Sequence, residues 1–257
     1  MAENTEDFCR AIAGYLQWKL HVPTEYVTGI PWQEREALFD RGEIQVLWLC
    51  GLPYVHKADL AESSMELLAV PIPVGERYGS RPVYFSDVVV RRDSACRSFR
   101  DLRGATWAYN EPRSHSGFNV VRAHLFDLGE IDNFFAAAVE AGAHSKALQM
   151  ILSGTVDGAA IDSTVLEWLG GQRNDLADEI RVIDTIGPSP IPPWVISRQV
   201  SPSQRQALRQ LLVEMHLDPA GRKVLADGRC LRFTSADDHD YDPIRAMAHK
   251  AERVSLV

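Results

Sequence analysis

Cysteine is scarce and scattered. Cys9, Cys50, Cys96 and Cys230 form no C-x-x-C pair, and their spacing suits neither a zinc site nor a redox motif. Reduced, mostly buried thiols are expected, with one disulfide left open for an exported protein. Missing too is any apolar run near the roughly 20 residues a membrane helix needs, so no direct membrane insertion is expected. Nor is there a basic excess. The 27 Lys and Arg stand against 35 Asp and Glu, a formal charge of −8, the wrong balance for a nucleic-acid partner. That balance leaves a small anion open as ligand, because backbone N–H groups, hydroxyls and helix dipoles hold anions without net positive charge. The opening residues, Met1 to Arg10, are acidic and lack the basic-then-apolar plan of a secretory leader. Two locations follow: periplasmic or extracellular if a leader was removed before residue 1, cytoplasmic otherwise. Catalytic signatures are lacking as well. No G-x-x-x-x-G-K-[ST], G-x-G-x-x-G or H-E-x-x-H occurs, and Ser114, not Gly, stands two before Ser116, so no nucleophile elbow forms there. No catalytic residue, cofactor or metal is expected.

What is present is an alternation of helical and strand periods, the pattern of an α/β fold. Phe8, Ile12, Tyr15 and Leu16 share one face of a helix over 5–20 that Pro23 stops. Strands are expected at 25–28, 44–49, 67–72 and 83–91, and Pro31 opens a short helix that Gly42 ends. After the polar stretch 92–103 the alternation restarts. Strands at 106–109, 158–161 and 180–183 flank helices at 117–128, 145–152 and 165–169. Prolines make 187–193 an extended crossing. A strand at 194–197 and helices at 203–214, 219–226 and 243–251 complete the chain. This divides into two lobes: 1–94 plus 189–257, including the C-terminal helices, and 95–188. A chain that leaves one lobe, builds a second and returns makes two crossover strands, and hinge closure on a ligand cleft between lobes is the habit of that plan. In open parallel sheets the ligand lies beyond the carboxyl ends of the strands.

Several side chains stand where such a ligand would be met. Ser114, His115, Ser116 and Gly117 lie between a strand ending near Tyr109 and a helix starting near Gly117. They offer two hydroxyls and unpaired N–H groups at a helix N-terminus, where negative charge is stabilised. Simple N-capping by serine accounts for the same residues. Trp32, Tyr54 and Tyr84 are aromatics near strand ends whose N–H and O–H groups can donate to an oxyanion, or which merely pack. His144 can donate to an anion or cap a helix. Asp162 ends a strand and would accept a ligand hydroxyl or proton. The acidic run Asp237-Asp-His-Asp-Tyr-Asp242 lacks calcium or zinc spacing and reads as the cap of the last helix.

Five segments then carry a family resemblance. They are Trp48-Leu-Cys-Gly-Leu-Pro-Tyr54, Tyr84 to Ser94 followed by Asp101-Leu-Arg-Gly104, Ser114-His-Ser-Gly117, Gly142-Ala-His144, and Ser153 to Asp162. In order and spacing they resemble the substrate-binding proteins of phosphate- and phosphonate-type ABC transporters. The resemblance implies a two-lobed type II periplasmic-binding-protein fold and a small oxyanion as ligand. It implies Ser114, His115, Ser116, Gly117, Tyr84, Trp32, His144, Asp162 and Tyr54 as ligand residues, and an ABC permease as partner to a monomer or weak dimer. Members that take aminoalkyl phosphonates carry an acid in an I-P-x-D-P segment; here it reads Ile191-Pro-Pro-Trp194, so that specificity does not carry over. Two other classes share the fold: a pyrimidine-forming enzyme of thiamine synthesis, and a cytosolic ligand-sensing effector domain.

Overall fold

The computed structural model describes residues 3–257. They form two compact units, one of Glu3–Val83 and Pro190–Tyr241, the other of Tyr84–Ser189 and Asp242–Val257.

In the first unit, helix α1 (Glu6–Leu20) buries Phe8, Ile12, Tyr15 and Leu16, the stripe expected from their spacing. Helix α2 (Trp32–Asp40) follows Pro31. The sheet is built from β1 (Val46–Trp48), β2 (Met65–Pro73), β8 (Trp194–Ser197) and β9 (Cys230–Thr234), ordered β1-β8-β2-β9 with antiparallel pairing. Helix α3 (Gly51–Ala58) comes between β1 and β2. Helices α8 (Pro202–Glu214) and α9 (Pro219–Asp227) each start with proline in the first turn behind a capping side chain, Ser201 and Asp218. Such a proline loses no hydrogen bond, and the cap satisfies one orphan N–H. Phe8, Ile12, Leu68, Trp194, Ile196, Leu212, Met215 and Phe233 fill the core.

The second unit holds a five-stranded sheet ordered β5-β4-β6-β3-β7, from β3 (Val83–Arg91), β4 (Thr106–Tyr109), β5 (Ala137–Glu140), β6 (Gly158–Asp162) and β7 (Ile180–Pro190). β4 runs parallel to β5 and β6, while β3 runs antiparallel to β6. Alternation along β3 splits the core. Val88 and Val90 join Trp107, Val121, Phe134 and Phe135 on one face, and Val89 joins Ala108, Leu148, Ile151 and Ile161 on the other. Both faces of a sheet so covered read as a continuous apolar run. The helices are α4 (Val120–Asp127), entered through a π-helical turn (His115–Asn119), α5 (His144–Leu152), α6 (Ser163–Gln172), α7 (Leu176–Glu179) and α10 (Asp242–Ala251).

Four expectations need correction. Residues 25–28 form no strand; Tyr26 instead packs against the first unit's core. Tyr54 stands inside α3 rather than at a strand end. β3 belongs to the second unit from Tyr84 onward, because its neighbours are β6 and β7. The last helix and tail also belong there: Val254 and Leu256 enter the second unit's core, Arg122 Nε donates to the Val254 carbonyl at 2.8 Å, and Lys250 pairs with Asp127 at 2.7 Å. The chain therefore passes between units three times, at Val83/Tyr84, Ser189/Pro190 and Tyr241/Asp242, instead of twice. Among the described residues no helix is long and apolar enough to cross a membrane.

Candidate functional site

The candidate site of the second unit is assembled at the carboxyl end of β4. Backbone bonds from Ala141 N–H to Tyr109 O and from Gly142 N–H to Asn110 O, both 2.7 Å, clamp the segment after β5 beside the segment after β4. Gly142 sits at φ +81°, a left-handed conformation that glycine adopts without strain. The clamp delivers His144, first residue of α5, to the turn that begins at Ser114.

Ser114 caps that turn, its Oγ accepting from Gly117 N–H at 3.1 Å. Capping is thus what Ser114 does in this structure. Ser116 faces inward, and its Oγ lies 3.0 Å from His144 Nε2, with both residues buried. Asn110 Nδ2 approaches the same ring nitrogen at 3.4 Å. The roles at Nε2 follow the ring tautomer: with its proton on Nε2 the ring donates to Ser116 Oγ, which leaves the hydroxyl hydrogen free to meet a ligand oxygen. Burial holds the His144 ring down to about 4, so it is neutral near pH 7. Asn110 Oδ1 is buried without a hydrogen-bond partner among the described residues. Gly117 is required here: a Cβ would stand 2.1 Å from Asn110 Oδ1 and 3.2 Å from His144 Cε1. The cluster therefore offers a hydroxyl, an amide, a neutral imidazole and first-turn N–H groups. It contains no cationic side chain. Polar groups of this kind in a dry setting stabilise an oxyanion through aligned dipoles.

The other expected residues lie as follows. Asp162 ends β6 and caps α6, its Oδ1 accepting from Thr164 N–H at 2.8 Å and Thr164 Oγ1 at 2.7 Å. Burial nevertheless raises its carboxyl to about 6. Opposite it in register is Ser86, whose buried Oγ has no hydrogen-bond partner among the described residues. Tyr84 is buried at the start of β3, its ring edge toward His115. His115 is wholly buried, at 0 % exposure. Both its ring nitrogens are engaged, Nε2 with Ser189 Oγ at 3.0 Å and Nδ1 with Asn119 Nδ2 at 3.1 Å. Its side chain serves the interior. In the first unit, Trp32 opens α2 half-buried. Tyr54 donates to Asp238 Oδ1 at 2.7 Å and packs its ring 4.5 Å from that of Tyr241, an internal role. The acidic run closes a turn, Asp237 N–H donating to Asp240 Oδ2 at 2.8 Å. The four cysteines are free thiols, and burial pushes Cys9 and Cys230 up to about 12. Sequence reasoning passed over Asn110, Asn119 and Ser189. Asn110 was findable, since it directly follows a strand that ends at the site.

Two discontinuous α/β units, one carrying a serine-rich turn at the end of a parallel strand, have the fold of type II periplasmic binding proteins. Solved structures match it nearly end to end. A binding protein component of an ABC phosphonate transporter from Pseudomonas aeruginosa is 19 % identical at a TM-score of 0.84, over 98 % of this chain and 83 % of that one. A protein from Prochlorococcus marinus in complex with methylphosphonate is 17 % identical at 0.82, over 98 % and 94 %. A Xanthomonas citri protein bound to ATP is 16 % identical at 0.73, over 98 % and 93 %. The sequence model of the ABC transporter phosphonate periplasmic substrate-binding proteins matches residues 2–241. The chain belongs to that family.

Proposed function

We propose that this chain captures a small oxyanion of the phosphonate or phosphate type, without chemical turnover, as the solute-binding component of an ABC importer acting outside the cytoplasmic membrane. One observation carries this reading: the buried Ser116–His144 contact of 3.0 Å at the first turn of a helix, with Asn110 beside it. The anion meets N–H groups and hydroxyls whose positions are already set, so little reorganisation opposes binding. Ser114, Ser116, Gly117 and His144 are the binding residues in this reading, with Asn110 as an addition. Asp162, raised to about 6, is suited to accept a hydrogen bond from a protonated ligand oxygen. Tyr84 and His115 support the turn from behind.

Thermal shift with methylphosphonate, phosphate, sulfate and ATP is the first test. A ligand at a hundred times its dissociation constant stabilises the fold by about 2.7 kcal/mol. Isothermal titration of Ser116→Ala is the second. One charge-assisted hydrogen bond contributes about 1.5–3 kcal/mol, so affinity falls roughly ten- to hundredfold. An absence of any shift sinks the oxyanion reading. Unchanged affinity in Ser116→Ala removes Ser116 from the site, and release of a product from the wild type overturns capture without turnover.

A further inference from the structure

We propose that His115 is a positioning residue for anion binding: its ring locks the Ser114–Gly117 turn to Ser189 and Tyr84, the residues at two of the three places where the chain passes between units. This rests on the oxyanion reading above. It concerns a side chain that the resemblance would make a ligand contact and that the structure buries completely.

Three observations converge. The first is hydrogen bonding. Asn119, one turn further along the same helix, offers an amide nitrogen to His115 Nδ1 at 3.1 Å. That nitrogen can only donate, so Nδ1 accepts and the ring proton sits on Nε2. Nε2–H then donates to Ser189 Oγ at 3.0 Å. Burial depresses the ring to about 3, so one neutral tautomer serves throughout the physiological range.

The second is location. Ser189 is the last residue of the second unit before the chain returns to the first, and Tyr84 is the first residue after it arrives. The Tyr84 ring meets His115 edge-on at 6.5 Å between centroids. Ser189 lies between Pro188 and Pro190, whose rings fix φ at both flanking positions. The hydroxyl that His115 grips is therefore held by a stiff segment.

The third is the choice of residue. A wholly buried ring with two polar nitrogens gains little over leucine in packing, and leaving either nitrogen unpaired would cost stability. A fully satisfied buried network instead selects one arrangement of the elements it joins. Ser116 is the next residue in the chain. Rotation of the turn about its axis would carry Ser116 Oγ off His144 Nε2, so the position of the crossing segments is read directly at the anion-binding hydroxyl.

The experiment compares His115→Leu, His115→Gln and Ser189→Ala with the wild type, titrated with methylphosphonate and with inorganic phosphate. Glutamine places an amide donor near the position of Nε2; leucine fills the space without one. Coupling between sites typically changes affinity about 5- to 150-fold. His115→Leu and Ser189→Ala are expected to bind roughly tenfold more weakly, and His115→Gln to recover most of the loss. Chemical shifts of the Ser116 amide and His144 ring in the ligand-free protein give a readout that needs no ligand; both move in Ser189→Ala. If leucine and glutamine variants bind alike, and Ser189→Ala leaves the Ser116 and His144 signals in place, His115 is a core residue only and the inference falls. If the wild type binds neither probe while those signals do move, the oxyanion reading fails and the coupling within the unit stands. A Ser189→Ala chain that does not fold is replaced by Ser189→Cys, which keeps the volume and weakens the acceptor.

Discussion

The smallest side chain at the site imposes the sharpest constraint. Gly117 occupies a helical turn, where alanine would ordinarily add about 0.5–1 kcal/mol of stability. Here its Cβ would overlap Asn110 Oδ1 at 2.1 Å, and overpacking costs about 1–3 kcal/mol. Gly117→Ala is therefore expected to change stability by no more than about 2 kcal/mol while expelling Asn110 from His144 and weakening anion binding at least tenfold. The double substitution Gly117→Ala with Asn110→Ala removes the overlap, so its urea midpoint should return to that of Asn110→Ala or exceed it. A double variant less stable than both singles would show that the crowding lies elsewhere. That a serine-rich turn opens this helix was legible, because serine is a preferred N-cap residue. The opposite fates of Ser114 and Ser116 were not. Which hydroxyl caps and which faces His144 depends on a segment 28 residues away in sequence.

Among the elements, the C-terminal tail is the one whose location decides most. Leu256 is buried in the second unit, its carbonyl accepts from Phe135 N–H at 3.1 Å, and Ser255 N–H donates to Ile131 O at 2.8 Å. Leu256→Ala is expected to destabilise by about 2–5 kcal/mol, the usual cost of emptying a buried leucine site. Chemical denaturation followed by the Trp107 environment would report it. A change under about 0.5 kcal/mol would place the tail outside the cooperative core. Helices with a stripe and a cap, α1, α8 and α9, were readable from pattern alone. Others were not. β5 is Ala-Ala-Val-Glu, a composition without strand preference that becomes a strand by pairing with β4. α3 carries Pro53 inside an apolar run, where proline is tolerated only because it falls in the first turn.

At the scale of the whole molecule, buried titratable groups set how stability responds to acid. His115 and His144 are held at about 3 and about 4, against an ordinary 6.5, and burial also lowers His124. Below pH 6.5 the unfolded chain protonates these rings and the folded chain does not. The stability tied to the neutral rings is full above 6.5 and is lost as pH falls toward their folded values. Asp162 opposes this, since at about 6 against 3.8 the folded protein takes its proton first. Its burial is a cost at neutral pH that acidification from about 6 to 3.8 relieves. His115 and His144 together outweigh it by one net proton, so they make stability fall by about 1.4 kcal/mol per pH unit between roughly pH 6 and 4.5, and His124 adds to the same slope. Asp162→Asn should steepen that slope and His144→Gln should flatten it. Urea midpoints at three pH values decide the matter, and a flat profile would mean the rings are hydrated in the folded state.

Local chemistry in the sequence by itself determined that this is an α/β chain in two units, where most strands and helices begin and stop, and that a Ser-x-Ser-Gly turn opens a helix after a strand. Period, capping residues and proline positions act over a few residues, so they are written locally. Tertiary structure alone decided the rest. It assigned the last helix to the second unit, paired Tyr54 with Asp238 and His115 with Ser189, and brought Asn110, Ser116 and His144 to one point. Those outcomes depend on burial and on partners distant in sequence, such as Ser189, 74 positions after His115. A buried polar group takes the partner that packing brings to it, and no local pattern specifies which one that is.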